Sequence, residues 1–405
     1  MQSFRTDIEN ISNSKKALVE KDIIELEKKI HQFREGKIHE EKFRSLRLAR
    51  GVYGQRQQGV QMIRIKLPFG KVSTKQLLRI AVISDEYSNG NLHLTTRQDI
   101  QIHHVSLDRT PELWAKLEQD DITIREACGN TVRNVTASAE AGIDPNELFD
   151  VSPYAKAVFE YFLRKPFGQE LGRKIKIAFS NNDKDTAVTY IHDFGFIHKI
   201  VNEQRGFKVL VGGGLGAQPF LAQTAFEFLP EEKVIPFLEA SIRVFDRYGE
   251  RASRHKARIK YLINKIGVDE FLKLVQEEEK AILVKEYKID TTETESVPQF
   301  RAQLPNEIPA IDKSAYFIWN KTNVFKQKQS GLFGVYIKVQ LGNINTSKAR
   351  ELARIAKLYS NPSDIRITIN QGFLLRDVSS EELPFLLNEL SKLELATPGF
   401  DSVGD

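Results

Sequence analysis

The feature that most constrains this chain is a segment written twice with a long spacer between the copies. Ile65-Lys-Leu-Pro-Phe-Gly-Lys-Val-Ser-Thr74 aligns with Ile337-Lys-Val-Gln-Leu-Gly-Asn-Ile-Asn-Thr346, and Leu92-His-Leu-Thr-Thr-Arg-Gln98 aligns with Ile365-Arg-Ile-Thr-Ile-Asn-Gln371. The offset is 272 residues for the first pair and 273 for the second. Each copy reads strand, turn at Gly70 or Gly342, helix, strand. The helices are expected from Thr74 to about Glu86 and from Thr346 to about Ser360, each opened by a capping-type threonine. A spacing this long excludes a solenoid. It describes one β-α-β unit duplicated, with a different domain between the copies.

Within the first copy, Leu94-Thr-Thr-Arg-Gln-Asp-Ile-Gln-Ile-His-His-Val105 alternates with a period of two and reads as one strand. Side chains alternate across a strand, so Arg97, Asp99 and Gln101 are expected on one face. That face is too polar for a core and suits contact with a large anion.

At 405 residues the chain has room for two or three domains, and 41% hydrophobic with 28% charged residues is ordinary for a globular protein. No apolar run approaches the length of a membrane span, and the N-terminus lacks the apolar core of a signal peptide. A single cysteine, Cys128, excludes an internal disulfide and points to a reducing, cytoplasmic setting. The net charge of +5 suits an anionic ligand or an acidic partner. No basic block interleaved with aromatics points to nucleic acid, which ranks lowest among the readings.

The pass along the chain divides it as follows. Residues 1–46 form an N-terminal helical segment, with Ile24, Leu26, Ile30 and Phe33 at helical spacing and packed on the protein itself. Residues 47–115 hold the first copy, with a short helix opening at Thr110-Pro-Glu. Residues 116–290 form the middle domain. Its expected strands are Arg173 to Ser180, Ala187 to Phe194 and Phe207 to Val211. Its expected helices are Ala155–Arg164, Val234–Tyr248, Arg254–Ile266 and Val268–Ala281. Residues 291–325, with Thr291-Thr-Glu-Thr-Glu-Ser-Val-Pro, read as a linker, residues 326–396 hold the second copy, and residues 397–405 read as a connector.

Several clusters could carry chemistry. Lys174 and Lys176 stand two apart on a strand and share a face, where like charges repel unless an anion lies between them. Arg64 and Lys66 repeat that pattern, and Arg133 lies in the polar, glycine-led Gly129-Asn-Thr-Val-Arg-Asn-Val. Each is equally a solvated strand face. Gly206-Phe-Lys-Val-Leu-Val-Gly-Gly-Gly-Leu-Gly-Ala-Gln-Pro219 lacks the residues of a phosphate loop or a dinucleotide fingerprint. Its glycines fit either a bulky ligand's approach or a tight turn. Arg251, Arg254 and Arg258 fall at helical steps on one face. No His/Cys spacing matches a zinc site, and no Gly-x-Ser-x-Gly nucleophile is present. The residues by themselves describe an anion-binding protein built on a duplication.

Taken together and in this order, the segments from about residue 47 to 400 resemble the sirohaem-dependent sulfite and nitrite reductases. The resemblance implies an α+β fold. Duplicated ferredoxin-like β-α-β halves pair into one pseudo-symmetric module, with an inserted α/β sirohaem-binding domain. It implies sirohaem beside a [4Fe-4S] cluster, and six-electron reduction of sulfite to sulfide or of nitrite to ammonia. Electrons would come from a ferredoxin or a flavoprotein. Sirohaem is a polycarboxylate and the substrate an anion, which accounts for the many arginines and lysines. By resemblance, Arg64, Arg133, Lys174 and Lys176 are the substrate-side cations. Arg97, Gln101, Asn134, Arg173, Arg251 and Arg254 match positions that hold sirohaem. His93 stands where sulfite reductases commonly have arginine. Lys176 stands where plant-type nitrite reductases tend to have asparagine, which favours sulfite.

The departure from the family is in cysteine. The family binds its cluster through a Cys-x5-Cys and a Cys-x3-Cys pair just beyond the second copy, and this chain has only Cys128. The expectation is an N-terminal part of such an enzyme, inactive as a six-electron reductase by itself and with no metal ligands of its own. The alternatives are a subunit completed by a cysteine-rich partner, or a non-catalytic sirohaem-binding module.

Overall fold

The computed structural model describes residues 5–11, 15–292, 304–305 and 307–400. It divides into two compact units, residues 1–128 with 296–405, and residues 129–295. The first division falls at Cys128/Gly129, not between residues 115 and 116. Residues 293–303 and 306 of the expected linker and the last five residues of the expected connector lie outside the described residues.

The chain opens with helices α1 (Arg5–Glu9), α2 (Lys16–Arg34) and α3 (Glu40–Leu48). Along α2, Val19, Ile23, Leu26 and Ile30 are buried at helical spacing in the core of their own unit. Ile23 takes the inward position, and Ile24, which was expected there, is 37% exposed. The first copy follows as strands β1 (Val52–Gly54), β2 (Val60–Ile65) and β3 (Lys71–Val72), helix α4 (Thr74–Tyr87), strands β4 (Asn91–Leu94) and β5 (Ile100–Ser106), and helix α5 (Thr110–Glu118). Helix α4 is capped one residue before the expected threonine. Ser73 accepts the Gln76 N–H at 3.1 Å, and the Gln76 side chain accepts the Ser73 N–H at 3.0 Å.

The segment expected as one strand from Leu94 to Val105 is a hairpin between β4 and β5. Thr95 donates its N–H to the Asp99 carbonyl at 2.9 Å, and Gln98 donates to the Thr95 carbonyl at 2.9 Å. The Thr95 hydroxyl accepts the N–H groups of Arg97 and Asp99, each at 3.2 Å. Gln98 takes a left-handed backbone, φ 57°. Hydroxyl-to-backbone bonding of this kind competes with a ladder and makes a turn, so Arg97, Asp99 and Gln101 do not alternate along one strand.

The middle unit contains β6 (Val132–Ala137), α6 (Ser152–Phe162), β7 (Ile175–Ser180), β8 (Phe194–Val201), β9 (Gln204–Val211), β10 (Gln223–Pro230), α7 (Val234–Tyr248), α8 (Ile259–Ile266) and α9 (Val268–Ala281). Its sheet runs β10-β9-β8-β7-β6, with β6, β7 and β8 parallel and the rest antiparallel. The strand expected at Ala187 to Phe194 is instead a short turn followed by β8. Asp185 accepts N–H bonds from Thr189 and Tyr190, and Val188 is left-handed at φ 47°. Edge strand β10 had no counterpart in the sequence reading. Arg254 does not open a helix. Residues Arg254–Lys256 make one isolated 3-10 turn, Arg258 is extended, and α8 begins at Ile259. The three arginines therefore share no helical face. Glu250 holds the bend by accepting the N–H groups of Ala252 and Ser253 at 2.6 and 3.0 Å.

The second copy is preceded by helix α10 (Lys313–Asn323), inside the interval read as linker, with Asp312 as its N-cap. It continues as β11 (Val324–Lys326), β12 (Leu332–Ile337), β13 (Asn343–Asn345), α11 (Thr346–Tyr359), β14 (Ile365–Ile367), β15 (Phe373–Ser379) and α12 (Leu383–Lys392). Asn345, one residue before the expected threonine, caps α11.

The two copies interlock within one unit. Their sheets run β1-β2-β5-β4-β13 and β11-β12-β15-β14-β3, so each copy lends one short strand to the edge of the other's sheet. Gln98 donates from Nε2 to the Ile367 carbonyl at 3.0 Å, and Gln371 donates from Nε2 to the Leu94 carbonyl at 2.7 Å. Left-handed residues recur in register: Phe69 with Leu341, Gln98 with Gln371, His104 with Asp377. Gly70 and Gly342, at φ 72° and 67°, bring their backbones so close to those same carbonyls that a Cβ would stand 2.4 and 2.6 Å from them.

Candidate functional site

In the first unit the cations gather at the hairpin. Strand pairing sets Arg64 of β2 opposite Gln101 of β5. With its amide turned so that the oxygen faces Arg64, the orientation that satisfies both side chains, Gln101 accepts from Arg64 Nε at 3.2 Å and Nη2 at 2.7 Å. Arg97 is buried in the turn, and Asp99 is 1% exposed beside it, accepting the Leu67 N–H at 3.4 Å. Burial pushes the Asp99 carboxyl up to about 6, against the pull of Arg64, Arg97, the Leu67 N–H and Lys66. Lys66 does not share an exposed face with Arg64. It is 2% exposed, and its ammonium faces the buried Glu126 carboxylate at 3.8 Å. An unpaired charge could not be kept there. His93 Nδ1 lies 2.9 Å from Asn343 Oδ1, on the strand lent by the second copy, so its ring is oriented by the duplication itself.

In the second unit the cations gather where β6 and β7 begin. Their parallel register pairs Val132 with Ile175, which brings Arg133 beside Lys174 and Lys176. Arg133 donates from Nε to the Gly129 carbonyl at 2.9 Å, and Asn134 is buried next to it. The Lys174 ammonium is pushed down to about 8 by burial, then by Arg133, Arg173 and Arg258, with Asp193 opposing them. Asp193 was not among the expected site residues, and Arg258 was singled out only as part of a basic helix face with Arg251 and Arg254. Asp193 is fully buried just before β8, and it accepts the Lys176 N–H at 2.7 Å and the Arg258 guanidinium at 2.8–3.0 Å. The signal for it was a lone carboxylate in the apolar run Tyr190-Ile-His-Asp-Phe-Gly-Phe, since a buried charge needs a partner. Arg251 and Arg254 stand apart from this cluster in kind. Arg251 is half exposed and bonded to Asp246 and to the Glu170 carbonyl, and Arg254 is exposed.

The glycine run takes the tight-turn reading. A Cβ on Gly213 would meet the Tyr190 and His192 carbonyls at 2.4 and 2.6 Å, and one on Gly214 would meet the Arg258 guanidinium at 3.1 Å. Lys260 closes the loop by donating to the carbonyls of Gly214, Leu215 and Gln218. Beyond it, Phe220, Tyr248, Tyr261, Arg251, Lys256 and Lys265 line part of a cavity of about 670 Å³ in this unit.

A polycarboxylate tetrapyrrole fits donor sets of this kind, because each unit offers buried or half-buried N–H cations clustered about one carboxylate. A [4Fe-4S] cluster does not fit the residues present. It takes four thiolates, and Cys128 is a single buried thiol directed at the Gly51 carbonyl, 3.9 Å away. Among the described residues no helix is long and apolar enough to cross a membrane.

Comparison with known proteins places these segments. Residues 128–283 match the nitrite and sulphite reductase 4Fe-4S domain, and residues 53–120 and 325–393 each match the nitrite/sulfite reductase ferredoxin-like half domain. The ferredoxin–nitrite reductase of Synechococcus elongatus is 28% identical over 340 residues, covering 81% of this chain and 61% of the relative. Sulfite reductase [ferredoxin] 1 of Mycolicibacterium paratuberculosis is 29% identical over 246 residues, covering 56% of this chain and 44% of the relative. The solved structure of the Mycobacterium tuberculosis NirA protein superposes with a TM-score of 0.74 at 27% identity, covering 89% of this chain and 65% of that one. The chain thus spans less than two thirds of each of these relatives.

Proposed function

Since the chain belongs to the nitrite and sulphite reductase family, we propose that it carries the tetrapyrrole- and oxyanion-binding part of a sirohaem-dependent reductase whose substrate is sulfite. The observation that carries this reading is the cation group at the start of β6 and β7. Arg133 on β6, Lys176 on β7 and Lys174 just before it gather there, with Arg173 beside Lys174 in the chain and Arg258 reaching in from the start of α8. So many cations on two strand ends stay stable when an anion neutralises them.

In this reading, which rests on the family resemblance, Arg97, Gln101, Asn134, Arg173, Arg251 and Arg254 are assigned to the carboxylates of the macrocycle. His93 is a further carboxylate partner. Arg64, Arg133, Lys174 and Lys176 are the cations that bind the substrate anion. Sirohaem, when bound, supplies the iron and the redox chemistry. The protein's own contribution is electrostatic, through fixed donors aimed at an oxyanion, and protonic. With an ammonium pushed down to about 8, Lys174 can give up a proton from Nζ close to neutral pH. The electron donor is a ferredoxin, whose acidity suits a chain of net charge +5. No step is assigned to an iron–sulfur cluster. With one cysteine, these 405 residues by themselves do not carry out the six-electron reduction. Sulfide formed by the purified chain, with no other protein added, would refute that.

Sulfite carries more negative charge than nitrite near neutral pH, and Lys176 adds a second ammonium to the group, which favours sulfite. Nitrite is the second reading, favoured by relatives that bear the name nitrite reductase. Titrating each anion into the sirohaem-loaded chain and following the Soret band separates them. Sulfite should bind more tightly, and Lys176→Asn should narrow or reverse the preference. Tighter nitrite binding by the unaltered chain would make nitrite the substrate.

A further inference from the structure

Asp193 is a fully buried carboxylate in a unit rich in cations, and its bonds reach three separate segments. Oδ1 accepts from Arg258 Nε and Nη2 at 3.0 and 2.8 Å, while Oδ2 accepts from Arg258 Nη2 at 2.9 Å and from the Lys176 N–H at 2.7 Å. Its own carbonyl accepts the Gly212 N–H at 2.9 Å, at the start of the glycine run. One residue thereby joins the first turn of pleat in β7, the residue that caps α8, and the loop after β9. The parallel register explains the placement. Phe194 pairs with Ile177, so the residue before Phe194 falls beside Lys176.

The backbone bond matters because it is made to the residue that bears a cation. Strand side chains leave the backbone at angles fixed by the pleat. Anchoring the Lys176 N–H therefore fixes the directions taken by the side chains at 174 and 176. The bidentate fork on Arg258 fixes the same carboxylate from the other side, and such forks hold geometry as well as charge. We propose that Asp193 is the positioning residue of the Lys174 and Lys176 cations, locking the strand that carries them to Arg258. The proposal rests on the reading above only for the use to which the two lysines are put.

A consequence follows for charge. The charged groups acting on the Lys174 ammonium are Arg133 from β6, Arg173 from its own segment just before β7, Arg258 from before α8, and Asp193 from before β8. His192 neighbours Asp193 in sequence. Asp193 is the negative charge of this group. Neutralising it uncovers Arg258 and leaves Lys174 facing cations, so the Lys174 titration moves further down. A move of one pH unit is tenfold in proton affinity.

The test reads the lysine side-chain amino resonances of the purified chain across pH, without cofactor or turnover, with Lys174→Arg used to assign the signal. In Asp193→Asn the Lys174 midpoint should fall by about one unit, tenfold in affinity, with far-UV circular dichroism unchanged. Asp193→Glu should restore most of it. An unchanged midpoint in a folded Asp193→Asn would overturn the proposal. If that variant does not fold, the double variant Asp193→Asn with Arg258→Gln removes both charges. The midpoint should then stay within about half a unit of the original. A clear rise in the double variant would mean that Arg258 acted alone, and would also overturn it. None of these readings depends on whether the chain serves a sulfite reductase, so a failure here and a failure of the reductase reading can be told apart.

Discussion

The two copies of the β-α-β unit share a backbone and differ in what they do with charge. Both keep the crossing glutamine bonds, the left-handed residues and the close glycines. Yet where the first copy has Asn91, His93 and His103, the second has Asp364, Arg366 and Arg376. In the second copy the charges close on themselves. Asp364 accepts from Arg366, and from Arg376 at 3.0 Å, with Lys71, on the strand lent by the first copy, at 3.7 Å. Although burial alone would raise it, these cations hold the Asp364 carboxyl well below the usual range. In the first copy Arg64, Lys66 and Arg97 surround Asp99, and that carboxyl is pushed up. One half spends its ion pairs on holding itself together. The other keeps its cations oriented about a carboxyl that burial makes reluctant to ionise, which suits binding an external anion. A duplication preserves the frame while its two polar clusters diverge.

That contrast can be broken by parallel substitutions. The largest effect is expected at Asp364→Ala, which strips the carboxylate from Arg366 and Arg376, both under a tenth exposed. Removing one partner of a buried ion pair costs about 3–5 kcal/mol, to be read in urea or thermal denaturation. A loss under about 1 kcal/mol would show that the network is not closed as described.

Next comes the pH dependence of stability. The Asp99 carboxyl lies at about 6 in the fold against 3.8 in the open chain, so folding favours its protonated form. Its contribution should fall as pH rises from about 4 to 6 and level off above, by up to about 3 kcal/mol. Asp99→Asn should remove that slope. Asp364 behaves oppositely. Its stabilisation is present above the unfolded value of 3.8 and is lost as pH falls through its lower folded value. Denaturation curves across pH 3–7 for both variants test the two signs together.

A smaller effect separates the copies in binding. Arg97→Ala should weaken tetrapyrrole binding about thirtyfold, near 2 kcal/mol, while Asn370→Ala at the equivalent position should leave it unchanged. Equal losses would place the tetrapyrrole contacts on both copies. The smallest effect should be the same in both. Gln98→Ala and Gln371→Ala each remove a bond to a strand carbonyl of the other copy, and each should cost about 1–2 kcal/mol. A marked inequality would mean that the interlock is not symmetric.

The repeat was legible because a duplicated frame leaves two readable copies of its turn glycines and helix openings. Val234–Tyr248 and Val268–Ala281 were legible because their apolar spacing is strictly helical. What escaped was decided by side chains bonding to backbone. Thr95 turned an alternating strand into a hairpin, Asp185 moved the start of β8, and Glu250 held Arg254 off the helix. Period-2 and helical patterns carry no mark of such bonds. The cations of the site were legible as residue types. Their pairings, Asp193 with Arg258 and Glu126 with Lys66, were not, because they join segments far apart in the sequence.

The most direct test titrates sirohaem, and separately its iron-free macrocycle, into the purified chain while following the Soret band at low and high salt. Saturable binding of one macrocycle per chain, weakened by salt and by Arg97→Ala and indifferent to Asn370→Ala, is the predicted result. Absence of saturable binding, or binding that neither Arg97→Ala nor salt affects, would contradict the account of these cation clusters as a tetrapyrrole and oxyanion site.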